Sequence, residues 1–117
     1  MKATVYGYTK CSTVKKSLNF LKDEAIEFEH IDNVETKFSA DQIKDLHVKS
    51  GLPLKRFFNT SGMLYRELQL KDKLPTMSEE EQYELLATDG MLVKRPILVT
   101  DKGVFPSFKA EKWLEIL

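Results

Sequence analysis

The feature that most limits how this chain can fold is a change of hydrophobic period in its first 25 residues, with the only cysteine at the joint. Lys2-Ala-Thr-Val-Tyr6 alternates polar and apolar residues and is rich in β-formers, which predicts a strand. Gly7 and Thr9 loosen the backbone after it. From Ser12 the period becomes helical: Val14, Leu18, Leu21 and Ala25 fall on one face. Cys11 therefore sits at or just before a helix N-terminus, where free N–H groups favour a thiolate over a thiol. That terminus is worth only ~0.3–1 kcal/mol at an exposed site. A tenfold change in ionisation requires about 1.4 kcal/mol. Lys10, Lys15 and Lys16 lie within a turn and add to the effect.

The rest of the chain extends this start. Ile26 to Ile31 alternates and predicts a second strand, so the opening is a β-α-β unit with parallel strands. Asp32 to Phe38 is a polar connector. Ser39 and Gln42 form a capping-box pattern opening a helix to about Ser50, with Ile43 and Leu46 inward, Gly51 ending it and Pro53 beyond. Leu54, Phe57 and Phe58 make one helical turn around an apolar anchor, and 59–62 is turn chemistry. The period of 64–70 fits a short helix or a strand, of which a helix is the expectation, followed by a connector at 71–75. Ser78 and Glu81 form a second capping box for a helix to about Thr88, with Tyr83, Leu86 and Ala87 apolar. Ile97 to Thr100 suits a central strand. Asp101-Lys-Gly103 turns into a short strand at Val104-Phe105. Ser107 is expected to cap a last helix carrying Ala110, Trp113, Leu114 and Leu117 at helical spacing. The bland readings suffice for His30 (strand surface), His47 (helix boundary), Phe57, Phe58 and Trp113 (core).

This order, β-α-β then helices then β-β-α, predicts an α/β domain: a mixed four-stranded sheet flanked by helices, with a helical insertion at about 39–90. At 117 residues the chain is expected to form a single domain, 1–117. Eighteen basic residues balance 18 acidic ones, which argues against direct nucleic-acid binding or attraction to an anionic membrane. No apolar run approaches a membrane span, no signal peptide is apparent, and one cysteine cannot form an internal disulfide; together these favour a cytoplasmic setting. One cysteine and two separated histidines give no metal-ligand cluster.

Arg95-Pro96 is the second landmark, a proline at the first position of a buried strand. Tyr8-Thr-Lys-Cys11-Ser-Thr-Val-Lys-Lys16, the helical insertion, and Lys94-Arg95-Pro96-Ile-Leu-Val99 occur in an order that resembles the arsenate reductase/Spx family of thioredoxin-like proteins over essentially the whole chain. The resemblance implies a thioredoxin-like fold in which Pro96 is cis and faces Cys11. It implies that Cys11 is the nucleophile and Arg95 its anionic-group partner, with Ser12, Lys15, Asn59, Thr60 and Pro96 as supporting or anion-binding candidates. It also implies glutathione or another low-molecular-weight thiol as co-substrate, with no bound cofactor.

Two departures bear on function. Spx-type regulators carry Cys-x-x-Cys in this loop, whereas here the second position is Val14, so an intramolecular disulfide is impossible. Glutathione-linked arsenate reductases surround their cysteine with three arginines. This chain has Arg56, Arg66 and Arg95 and none after Arg95, and the middle family position falls near Asn59. A multiply charged oxyanion needs a dense cluster of donors to replace its water. The expectation is a monothiol redox protein acting on a disulfide, an oxidised thiol or an oxyanion, resolved by an external small thiol. The alternatives are an Spx-like regulator binding RNA polymerase without catalysis, and a family member lacking the ancestral chemistry.

Overall fold

The computed structural model describes residues 3–117. Strand β1 (Ala3–Tyr6) leads through the cysteine loop into helix α1 (Ser12–Asp23), and β2 (Phe28–Ile31) returns parallel to β1, with Ala3 opposite Phe28 and Tyr6 opposite Ile31. Lys2, expected in the first strand, lies outside the described residues. β3 (Ile97–Thr100) pairs antiparallel with β1, and β4 (Gly103–Pro106) antiparallel with β3. The sheet order is β2-β1-β3-β4. The expected mixed four-stranded thioredoxin-like sheet is therefore present, and the Arg95-Pro96 bond is cis.

Alternation along the strands divides the core in two. Ala3, Val5 and Leu98 face Leu21 of α1 and Trp113 of the last helix, α6 (Ala110–Ile116). Ile97 and Val104 face the larger cluster built by the insertion, which includes Phe38, Ile43, Phe57, Phe58, Tyr83, Leu86 and Val93. Helix α2 (Ala40–Ser50) opens on the Ser39–Gln42 capping box, and Gly51 closes it in the left-handed conformation at φ 67°. After a 3₁₀ turn at Leu54–Phe57 come α3 (Met63–Glu67), α4 (Leu70–Lys73) with a 3₁₀ turn at Leu74–Thr76, and α5 (Glu79–Thr88), which opens on the Ser78–Glu81 capping box. A 3₁₀ turn at Gly90–Leu92 leads towards β3. Among the described residues no helix is long and apolar enough to cross a membrane.

Four local expectations are corrected. Residues 64–70 are not one helix with a connector after it: α3 stops at Glu67, Gln69 turns left-handed at φ 55°, and α4 starts afresh through the supposed connector. The reset buries Leu70 and Leu74 and leaves Leu68 at the surface, which one continuous helix would not do. Ala25 lies beyond α1, exposed and at positive φ. Ser107 is not a cap: it sits at φ 80°, its carbonyl accepts from Trp113 Nε1 at 2.8 Å, and Lys109 takes the N-cap position. Trp113 is fully buried as expected, but Leu114 is 54% exposed.

Candidate functional site

The loop between β1 and α1 places Cys11 at the N-cap of α1 with extended backbone, φ −81° and ψ 128°. Its N–H donates to the Tyr8 carbonyl at 3.0 Å, and its own carbonyl accepts from Lys15 N–H at 3.1 Å, opening the helix. Close packing fixes the loop's entry. A Cβ on Gly7 would lie 2.7 Å from Cγ2 of Val14, a fully buried side chain. The residue that excludes a second cysteine is thus also the packing floor of the loop.

The Cys11 thiol is half-buried and free. Burial pushes its pKa up, but the Val14 N–H, the Arg95 guanidinium and the Thr13 N–H outweigh burial and hold it below the ordinary thiol value. The sulfur closes no full cap bond, so the effect comes from converging donors and charge rather than from one ideal contact. Arg95, on the segment entering β3, is itself fixed from two other sides. Its guanidinium carbon lies 5.6 Å from the centre of the Tyr8 ring, and Nη1 approaches Met91 Sδ at 3.8 Å. Cys11 and Arg95, the two residues expected to act together, are brought together, and Pro96 is the buried residue next to Arg95 in the chain.

The supporting candidates are placed differently. Ser12 and Lys15 are exposed on the first turn of α1. Asn59 is engaged with protein: Nδ2 donates to the Met91 carbonyl at 3.4 Å, and Oδ1 accepts from Ser61 at 3.4 Å. Its amide supports the segment that carries Arg95. Thr60 is exposed and lines a cavity of about 360 Å³ with Pro53, Lys55, Arg56, Phe58 and Lys94. Arg56 packs over the Phe105 ring, 5.7 Å from its centre, and Arg66 is exposed on α3. Arg95 is the arginine that acts on Cys11.

Sequence reasoning missed the polar frame around the loop. Asp32, read as connector, accepts from both the backbone N–H and the hydroxyl of Thr9, at 3.0 and 2.6 Å. His30 is half-buried, not merely a surface residue, and its Nε2 donates to the Gly7 carbonyl at 2.9 Å. Tyr8 and Met91 contribute through Arg95. None of these contacts follows a sequence period, so no pattern announces them. His47 is the boundary residue expected, hydrogen-bonded through Nδ1 to the Tyr83 hydroxyl at 2.7 Å.

Known proteins are similar to this chain over nearly its whole length. The uncharacterised protein YusI of Bacillus subtilis is 49% identical over 115 residues, covering 98% of each chain. The crystal structure of an ArsC-family-related protein from Bacteroides fragilis superposes with a TM-score of 0.95 at 45% identity, covering 100% of this chain and 98% of that one. An arsenate reductase from Vibrio cholerae superposes at 0.89 with 29% identity, covering 100% and 98%. An arsenate reductase of Escherichia coli is 27% identical over 97% of this chain and 79% of its own length. The ArsC family model spans residues 6–116, from the last residue of β1 to the end of α6, and with the cysteine loop and cis-proline segment in place this chain belongs to the ArsC family.

Proposed function

We propose that this protein carries out monothiol redox chemistry in which the Cys11 thiolate attacks a disulfide and an external low-molecular-weight thiol, such as glutathione, completes the cycle. The observation that carries this reading is the lowered thiol of Cys11 beside Arg95 in a chain with no second cysteine. In the first step a Cys11–sulfur bond forms as the substrate's sulfur–sulfur bond breaks, and one thiolate leaves. Arg95 and the α1 N-terminus neutralise charge on the attacking sulfur when it returns as leaving group. In the second step the small thiolate attacks the other sulfur of the mixed disulfide. Cys11 leaves as thiolate, and the substrate half departs joined to the small thiol. Val14 cannot perform that second step, so the resolving thiol comes from solution.

A disulfide fits this site better than arsenate does. One guanidinium suffices to hold a thiolate, whereas a multiply charged oxyanion needs several charged donors at once. Arg56 lies over Phe105 and Asn59 spends its amide on Met91. Rapid exchange with a glutathione mixed disulfide, and trapping of a Cys11–glutathione adduct by mass spectrometry, are the expected results. A Cys11 alkylation rate that rises only around the ordinary thiol pKa of ~8.5, with no adduct under oxidising conditions, overturns the reading.

A further inference from the structure

The chemistry proposed above needs Cys11 and Arg95 at one point, although they come from opposite halves of the chain. The short segment after β2 touches both halves. Asp32 Oδ2 accepts the two Thr9 bonds from the Cys11 loop. Its Oδ1 accepts from the N–H groups of Val34 and Glu35, at 2.8 and 3.2 Å, which fixes the carboxylate on its own turn. Burial works against ionisation of Asp32, but the Thr9, Val34 and Glu35 donors outweigh it and hold the carboxyl far below its ordinary range.

The next residue faces the other way. Asn33 is 1% exposed, and its Nδ2 donates to the Gly90 carbonyl at 3.1 Å. Gly90 is buried against the same turn so closely that a Cβ there would stand 2.2 Å from the Asn33 carbonyl oxygen. Gly90 opens the 3₁₀ turn whose next residue, Met91, contacts both Arg95 and Asn59. Among the described residues, Asn33 Oδ1 is buried without a partner. An apolar side chain of similar volume would avoid that cost but would lose the bond to Gly90.

Resting on the redox reading, we propose that Asp32 and Asn33 are positioning residues: Asp32 fixes the loop of Cys11, Asn33 fixes the segment of Arg95, and their adjacency sets the distance between thiol and guanidinium. They touch no reacting atom and act through Thr9 and Gly90.

The test is the pH profile of Cys11 alkylation by iodoacetamide, with Tm and exchange on a glutathione mixed disulfide measured in parallel. Asp32→Ala and Asn33→Leu are expected to slow alkylation at pH 7 about threefold, as expected when contacts worth about one hydrogen bond stop favouring the thiolate. Thr9→Val, which keeps the backbone bond and so keeps folding secure, is expected to shift the profile the same way by less. Ser78→Ala removes the α5 capping box away from the site and is expected to lower Tm without moving the profile. Profiles for Asp32→Ala, Asn33→Leu and Thr9→Val that coincide with wild type overturn the proposal, whatever their Tm. If wild type shows no exchange while these variants still shift the profile, positioning stands and the redox reading falls. If Asp32→Ala does not fold, Thr9→Val decides.

Discussion

The loop presenting Cys11 and the segment presenting Arg95 meet at one point but differ in the polar groups that hold them there. The Cys11 loop, set over Val14, is held further by polar contacts with β2 and the turn after it: Thr9 to Asp32, and Gly7 to His30. The Arg95 segment rests on packing joined by neutral backbone and amide hydrogen bonds. Leu92 and Val93 are buried, Val93 forms a bridge with Phe58, and the Arg95 side chain lies against Tyr8 and Met91. Polar anchoring fixes direction, and at Asp32 it depends on ionisation. Packing supplies most of the stability and is indifferent to pH. A single-thiol site draws on both, because the sulfur must be oriented while the cation must be kept in place against water.

The comparison can be broken most completely at its centre. Cys11→Ser is expected to reduce disulfide exchange to the uncatalysed background with the fold intact, checked by exchange kinetics and circular dichroism. The packed side comes next. Phe58 is 1% exposed, and Phe58→Ala is expected to cost ~3–5 kcal/mol in chemical denaturation. Gly90→Ala presses a methyl into the Asn33 backbone, and overpacking of this kind costs ~1–3 kcal/mol or more, read as a lowered urea midpoint.

Smaller effects sharpen the electrostatic side. Arg95→Ala is expected to slow Cys11 alkylation at pH 7 about three- to tenfold, a modest figure because the pair is partly solvated. The lowered thiol also has a stability signature. Where the unfolded chain holds the thiol proton and the folded one has released it, stability rises with pH. Wild type is therefore expected to gain stability relative to Cys11→Ser as pH rises towards the ordinary thiol value, and Arg95→Ala to gain less. Asp32 acts at the opposite, acidic end of the pH scale. Its folded pKa is depressed, so its contribution is complete above the unfolded value of ~3.9 and is lost as pH falls below it. Acidification through that window is expected to lower the Tm of wild type more than that of Asp32→Asn.

The sequence reveals elements governed by near neighbours. Both capping boxes, the glycine stop at Gly51 and the hairpin turn at 101–103 involve residues a few positions apart, and all are present. The juxtaposition of Cys11 and Arg95 was legible only through the order of two short motifs. What stayed hidden is long-range and polar. Nothing near Asp32 marks Thr9 as its partner, and nothing near Asn33 points to Gly90. The helical period also misled where the backbone resets: Gln69 turns left-handed inside an apparently continuous pattern, and Ser107 does so where a cap was expected. In both places tertiary burial, of Leu70 and Leu74 in one and of Trp113 in the other, overrides the local preference.

The division of the core by the sheet has a consequence for how the molecule opens. β1 and β3 are the inner strands, and each sends alternate side chains into the two separate clusters: Val5 and Leu98 to one, Tyr6 and Ile97 to the other. Neither cluster can come apart without disturbing strands that the other also grips. Backbone amides at Val5 and Leu98 should therefore be among the slowest in the chain to exchange with deuterium, released only by global unfolding, while the edge strand β2 exchanges through smaller local openings. The strands flanking the thiol would then form the most slowly opening part of the protein.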